Sequence, residues 1–214
     1  MALFLDSAIV EDARRAFSSG LVHGITTNPS LIAKTRKPAI EVIKQLCDLT
    51  TGIVFHQLTA DNLSERREEA IKMAGIRPGR VGLKIPCTYE NLYLATEVVK
   101  SGYTVAMTAI FSLPQVYLAC QAGVQYVIPY VNRSTRLLGD GIDLVRQMRA
   151  VIDADGAHTQ ILAASLKSAD EAIAALLAGA HHLSLPFPLI ESMGEHALSF
   201  KAIEEFKSAK DEFG

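Results

Sequence analysis

A lysine inside an apolar run is the first residue to weigh for chemistry. Lys84 follows Val81-Gly82-Leu83 and precedes Ile85-Pro86, a stretch with the pattern of a buried strand. Lysine is almost never fully buried without a partner. Burial penalises its ammonium form and lowers the pKa, leaving free amine near neutral pH. Such an amine is the nucleophile that makes a Schiff base with a carbonyl. The plainer alternative is a strand lysine whose head reaches solvent along its methylene stem.

The elements around Lys84 decide between these readings. Apolar runs predict strands at Leu3–Asp6, His23–Thr26, Ile53–Leu58, Val81–Ile85, Thr104–Met107, Tyr126–Tyr130, Gln160–Ala164 and His182–Leu185. Helical patterns lie between them, at Ala8–Ser18, Pro38–Leu49, Asp61–Ala74, Thr88–Lys100, Ser112–Gln121, Asp140–Ala154, Ser168–Ala178 and Phe187–Met193. Several stop at glycine, as the first does at Gly20, and Asp61 is the expected N-cap of its helix. This alternation predicts a single-domain (β/α)8 barrel spanning residues 1–214. A doubly wound sheet is the competitor, but no glycine-rich loop follows the first strand and there is no P-loop. A last amphipathic helix, 196–213, carries Phe200, Ile203, Phe206 and Phe213. It must cover its own barrel or a neighbouring subunit.

Barrel sites are built where the strands end at their C-terminal edge. The ends here are Asp6, then Thr26 to Asn28, Gln57, Lys84, Thr108, Tyr130 to Arg133, Ser165 to Lys167, and Ser184. Singly these are ordinary. Thr26 or Ser165 could cap a helix, Asp6 stands just before one, and Arg133 could be a solvated loop charge. Together they surround Lys84 with Asp6, Asn28, Gln57, Thr108 and Tyr130. A Schiff-base site needs that population: an amine, a phenol for proton transfer, and hydrogen-bonding groups for substrate hydroxyls. Arg133, Ser165 and Lys167, with the N-terminus of the helix that follows, suit a phosphate. The implied substrate is a phosphorylated sugar or triose.

Composition narrows the partners. The 214 residues carry a net charge of −2 and are 49% hydrophobic. No basic patch points to nucleic acid or an anionic membrane. No apolar run approaches the roughly 18 residues of a membrane span. The start, Met1-Ala2-Leu3-Phe4-Leu5-Asp6, lacks the basic region of a signal peptide. Cys47, Cys87 and Cys120 are widely spaced, fitting reduced thiols in a cytoplasm and no zinc pattern.

Four stretches resemble the transaldolase family: Gly24-Ile25-Thr26-Thr27-Asn28-Pro29-Ser30-Leu31-Ile32, Leu83-Lys84-Ile85-Pro86, Tyr126-Val127-Ile128-Pro129-Tyr130-Val131-Asn132-Arg133, and Leu162-Ala163-Ala164-Ser165-Leu166-Lys167. The likeness runs over essentially the whole chain and is greatest to the short branch that includes the fructose-6-phosphate aldolases. It implies a barrel that binds a dihydroxyacetone unit as a Schiff base on Lys84, with no metal or organic cofactor. Asp6, Thr26 and Asn28 would hold donor hydroxyls. Gln57, Thr108 and Tyr130 would manage water and protons. Arg133 and Ser165, with Lys167 assisting, would hold the acceptor phosphate. The family implies ring-shaped homo-oligomers, pentamers or decamers, in which the C-terminal helix reaches a neighbour.

Within the family, Gln57 and Tyr130 resemble the aldolases; short transaldolases tend to have glutamate and phenylalanine there. Lys167 points the same way. The expected activity is thus cleavage or formation of fructose 6-phosphate or a similar ketose phosphate, from small ketone and aldehyde units. Transfer of a dihydroxyacetone unit between sugar phosphates is the alternative, and a phosphosugar-binding barrel without turnover the remoter one. Ile128, Ala106 and Ser134-Thr135 depart from the relatives' residues, so the donor is expected to be affected.

Overall fold

Each apolar run becomes a strand whose alternate residues face opposite sides, and eight such strands close on themselves. The computed structural model describes residues 1–213, with side chains described through residue 209. The order is β1 (Ala2–Asp6), α1 (Val10–Ser18), β2 (Val22–Thr26), α2 (Pro29–Lys34), α3 (Ala39–Leu49), β3 (Val54–Gln57), α4 (Leu63–Ala74) and β4 (Val81–Pro86). It continues through α5 (Tyr89–Lys100), β5 (Val105–Ile110), α6 (Leu113–Gln121), β6 (Tyr126–Pro129), α7 (Val131–Leu138) and α8 (Gly141–Asp155). The last elements are β7 (Gln160–Ala163), α9 (Ala169–Leu177), β8 (His182–Leu185), α10 (Phe187–Met193) and α11 (Ala197–Phe213). All pairings are parallel, and β8 returns to β1, so the expected (β/α)8 barrel is the fold and the doubly wound sheet is not.

The pleat sorts the apolar residues into two layers. Leu5, Ile25, Val54, Leu83, Met107, Val127, Ile161 and Leu183 face outward and pack under the helices. Phe4, Phe55, Ala106, Ile128 and Leu162 face inward and fill the barrel's middle. There, large residues stand opposite small ones. Phe4 pairs in register with Gly24, and a Cβ on that glycine would lie 2.6 Å from the Phe4 ring. Phe55 pairs with Gly82, where a Cβ would lie 2.5 Å from the Phe55 ring. Tyr126 likewise stands opposite Ala106. The rings touch edge to face, with Phe55 and Tyr126 centroids 5.5 Å apart and Phe4 and His182 5.8 Å apart.

His182 completes this floor. Its Nδ1 accepts from the Ala2 N–H at 3.0 Å, so its Nε2–H donates to Gln160 Oε1 at 2.8 Å. Burial pushes its pKa down to about 4, helped by the nearby N-terminal ammonium. The ring is therefore neutral near pH 7, as its bonding requires.

Several expectations need correction. The helices α2 and α7 were not expected; Asn28-Pro29 and Tyr130-Val131 read as site loops but each begins a helix. The N-cap of α4 is Asn62, whose side chain accepts from Glu65 N–H, and not Asp61. Strand β5 runs on to Ile110 across a register shift, because Ala109 takes a φ of 56°. Along α11, Leu198, Phe200, Ile203 and Phe206 are exposed, so its own barrel does not cover them; the Phe213 side chain lies outside those described. No helix among the described residues is long and apolar enough to cross a membrane.

Candidate active site

Two residues beyond the aromatic floor, the inward positions turn polar. Asp6 on β1, Thr26 on β2, Gln57 on β3, Lys84 on β4 and Ser184 on β8 converge on one cavity of about 460 Å³. Tyr130, Arg133, Ser165 and Lys167 line it from the β6 and β7 ends, and Asn28, Pro29, Ser30 and Leu31 from the start of α2. Nine of the ten expected site residues are on its wall. The tenth, Thr108, reaches it through Tyr130.

Lys84 is 4% exposed, and its Nζ donates to Thr27 O at 2.8 Å. Burial pulls its pKa from 10.5 to about 8, against the opposing pull of Asp6. The free-amine fraction at pH 7 thereby rises from roughly 0.03% to roughly 10%. Lys84 is buried at the cavity wall and its head bonds Thr27 O, which does not fit a strand lysine reaching out to bulk solvent.

Asp6 is not a helix cap, since the N-cap of α1 is Ile9. Its Oδ1 accepts from Thr26 Oγ1 at 2.9 Å, and Thr26 Oγ1 lies 2.6 Å from Ser184 Oγ. The single Thr26 proton goes to the carboxylate, so Ser184 donates to Thr26. Burial raises the Asp6 pKa, while Lys84 and the Thr26 bond draw it down. Asp6 and Lys84 are thus both displaced toward their neutral forms, each the other's countercharge. Asn28 caps α2 by accepting Leu31 N–H at 3.0 Å on Oδ1, which leaves its Nδ2 to face the cavity.

Opposite, the bend at Ala109 sets Thr108 where its hydroxyl donates to Tyr130 OH at 3.2 Å. The phenol's own proton is then free to point into the cavity. Its ring is gripped by Phe111, edge to face at 5.9 Å, and by the Arg133 guanidinium, 4.8 Å from the centroid. Gln57 Oε1 is enclosed without a protein partner among the described residues.

At the outer end, Ser165 has a φ of 58°. A serine in that region costs on the order of 1–2 kcal/mol and turns its side chain out of the strand pattern. It does not cap α9; Ser168 does, accepting Glu171 N–H at 3.1 Å. Glu171 in turn accepts Lys167 N–H at 2.7 Å, and the first turn of α9 also carries Asp170. The N-terminus of this helix is therefore a weaker aid to a phosphate than expected: Glu171 N–H and Lys167 N–H are taken up by side chains, and the first turn is acidic. The side chains of Arg133, Ser165 and Lys167 remain for an anion.

The departures separate cleanly. Ile128 lines the cavity. Ala106 is fully buried, in register with Lys84 on one side and Tyr126 on the other, and does not line the cavity. Ser134 is wholly buried in α7, and Thr135 bonds Val131 O and Gly141 N–H, so neither faces the cavity. Ser184, in the sequence only a strand end, and Ser30, only part of a motif, both line the wall. Inward parity with Leu162 and Phe4 would have signalled Ser184, but nothing in the sequence singled out Ser30.

A family model described as Transaldolase/Fructose-6-phosphate aldolase matches residues 3–213. A probable transaldolase of Caulobacter sp. (strain K31) is 36% identical over 206 residues, 96% of this chain and 94% of that one. A probable transaldolase of Agathobacter rectalis is 36% identical over 210 residues, 97% of this chain and 96% of that one. Among solved structures, thiamine phosphate pyrophosphorylase from Pyrococcus furiosus superposes with a TM-score of 0.60 at 16% identity, over 86% of this chain and 85% of that one. A mandelate oxidase mutant superposes with a TM-score of 0.61 at 14% identity, over 84% of this chain and 59% of that one. These two share the barrel fold.

Proposed function

The chain belongs to the transaldolase/fructose-6-phosphate aldolase family of enzymes, and from that premise we propose that it is a class I aldolase working through Lys84. Its reaction is the cleavage or formation of a ketose phosphate such as fructose 6-phosphate, from dihydroxyacetone and glyceraldehyde 3-phosphate. The observation that carries the reading is the buried Lys84 amine, pulled down to about 8 and ringed by Asp6, Gln57 and the Tyr130–Thr108 pair.

The neutral amine attacks the ketose C2, giving a carbinolamine that loses water to become a protonated Schiff base. Asp6, whose burial raises its pKa against the pull of Lys84, exchanges protons with the carbinolamine oxygen. A water held by Gln57 Oε1 and the Tyr130 phenol takes the proton from the C4 hydroxyl. The C3–C4 bond breaks, its electrons pass to the Schiff-base nitrogen, and an aldose phosphate leaves. The Tyr130 phenol gives its proton to C3 of the enamine as the protonated water replaces it, and water then releases the ketone from Lys84. Thr26 and the Asn28 amide hold the donor's hydroxyls. Arg133, Ser165 and Lys167 hold the phosphate of the acceptor half. Ile128 narrows the donor end.

A second reading, transaldolase, is favoured by the names of the relatives. It shares every step but the last, where an aldose phosphate takes the enamine. Gln57 and Tyr130, the pair resembling the aldolases, favour release. Fructose 6-phosphate incubated with and without erythrose 4-phosphate separates them: cleavage without acceptor is expected, and strict dependence on the acceptor would overturn the aldolase. The exposed apolar residues of α11 fit a neighbouring copy in a homo-oligomer.

A further inference from the structure

We propose that Glu171 is a positioning residue for the phosphate end of the cavity, an inference that rests on the reading of Arg133, Ser165 and Lys167 given above. Glu171 does not line the cavity. Its carboxylate ties together two segments that do. Oε1 accepts from Asn132 Nδ2 at 3.1 Å, and Oε2 accepts from Lys167 N–H at 2.7 Å. Asn132 N–H in turn donates to Ser165 O at 3.1 Å. The strained Ser165 is thus held from both flanks, by Asn132 on one side and Lys167 on the other, and Glu171 fastens both. A residue stays in the left-handed region only where its surroundings over-determine it. Arg133 follows Asn132 directly, so the same fastening sets the base of its side chain.

A carboxylate is an odd neighbour for an anion site, and its charge opposes a phosphate. Two donors converge on it, an amide NH2 and a backbone N–H, and each meets its own carboxylate oxygen. A glutamine in the same pose would replace one of those oxygens with an NH2 that faces a donor. Charge and geometry therefore make opposite predictions for Glu171→Gln. Loss of the charge alone strengthens binding of a phosphorylated aldehyde, whereas loss of the fastening weakens it.

The test is steady-state synthesis with glyceraldehyde 3-phosphate and with glyceraldehyde, in wild type, Glu171→Gln, Asn132→Ala and Arg133→Ala, each checked by urea unfolding. The readout is the ratio of kcat/KM for the phosphorylated over the unphosphorylated aldehyde. Glu171→Gln is expected to lower it roughly tenfold, through a higher KM for the phosphorylated aldehyde. Asn132→Ala, which cuts the other arm of the fastening, is expected to lower it too, and decides the matter if Glu171→Gln fails to fold. An unchanged or raised ratio, or equal losses with both aldehydes, would overturn the positioning role. An unchanged ratio in Arg133→Ala would instead overturn the phosphate reading beneath it.

Discussion

The two ends of the barrel are lined by the same strands, yet they treat buried polar groups in opposite ways. At the floor, both nitrogens of His182 are engaged and the ring is neutral. At the mouth, Lys84 has Thr27 O as its acceptor among the described residues, and Gln57 Oε1 has no protein partner. A single residue separates the two layers on β1, β3 and β4: Phe4 from Asp6, Phe55 from Gln57, Gly82 from Lys84. A buried polar group left short of partners costs about 1–3 kcal/mol. The floor carries no such cost, and the mouth bears it where a substrate can relieve it. Stability and chemistry are thus assigned to successive inward layers.

Changes at the mouth should alter rate and spare stability. Lys84→Met is expected to abolish turnover and borohydride trapping of a ketose, a loss of at least about 10⁴-fold. Its thermal midpoint should equal or exceed the wild type's, because an apolar chain of similar length replaces a desolvated amine. Trapping on another residue, or a marked fall in midpoint, would break the contrast. In the wild type, the rate should climb with pH and level off above about 8, the lysine's lowered pKa.

Changes at the floor should do the reverse. Gly82→Ala sets a Cβ against the Phe55 ring and is expected to cost about 1–3 kcal/mol in urea unfolding. Activity per folded molecule should stay near that of the wild type; a loss as large as the stability change implies would join the two layers into one. The smallest effect is His182→Gln. The folded histidine titrates near 4, below the 6.5 of the unfolded chain. Between those values the unfolded state binds the extra proton, so the histidine's contribution is intact above 6.5 and is lost as pH falls toward 4. The variant should flatten the slope of unfolding free energy against pH in that window, by up to about one proton. An unchanged slope would mean that the floor histidine does not titrate as its bonding requires.

The layers differ in how far the sequence discloses them. Lys84 and the strand ends are legible because an apolar run with a polar end has few other uses. The starts of α2 and α7 are not, because Asn28-Pro29 and Tyr130-Val131 carry site residues and helix starts at once. The turn at Ala109, which aims Thr108, has no sequence signature, since alanine does not favour φ of 56°. The α9 cap was available in Ser168 and Glu171, but the spacing was read as a phosphate site and not as a helix closing on itself. Ala106 packs among Phe4, Phe55 and Ile128 and stays off the cavity wall, which the sequence does not disclose because that depends on three-dimensional packing.

The paired Phe4–Gly24 and Phe55–Gly82 contacts also act as notches that fix alignment. Sliding β2 by two residues along β1 keeps the same face inward, yet sets Val22 or Thr26 against the Phe4 ring. Sliding β4 along β3 sets Arg80 or Lys84 against Phe55. Each slip would put a side chain into a slot that only hydrogen fills. Both notches lie in the first four strands, so a chain emerging from its N-terminus carries the register of that half-barrel before the second half has been made.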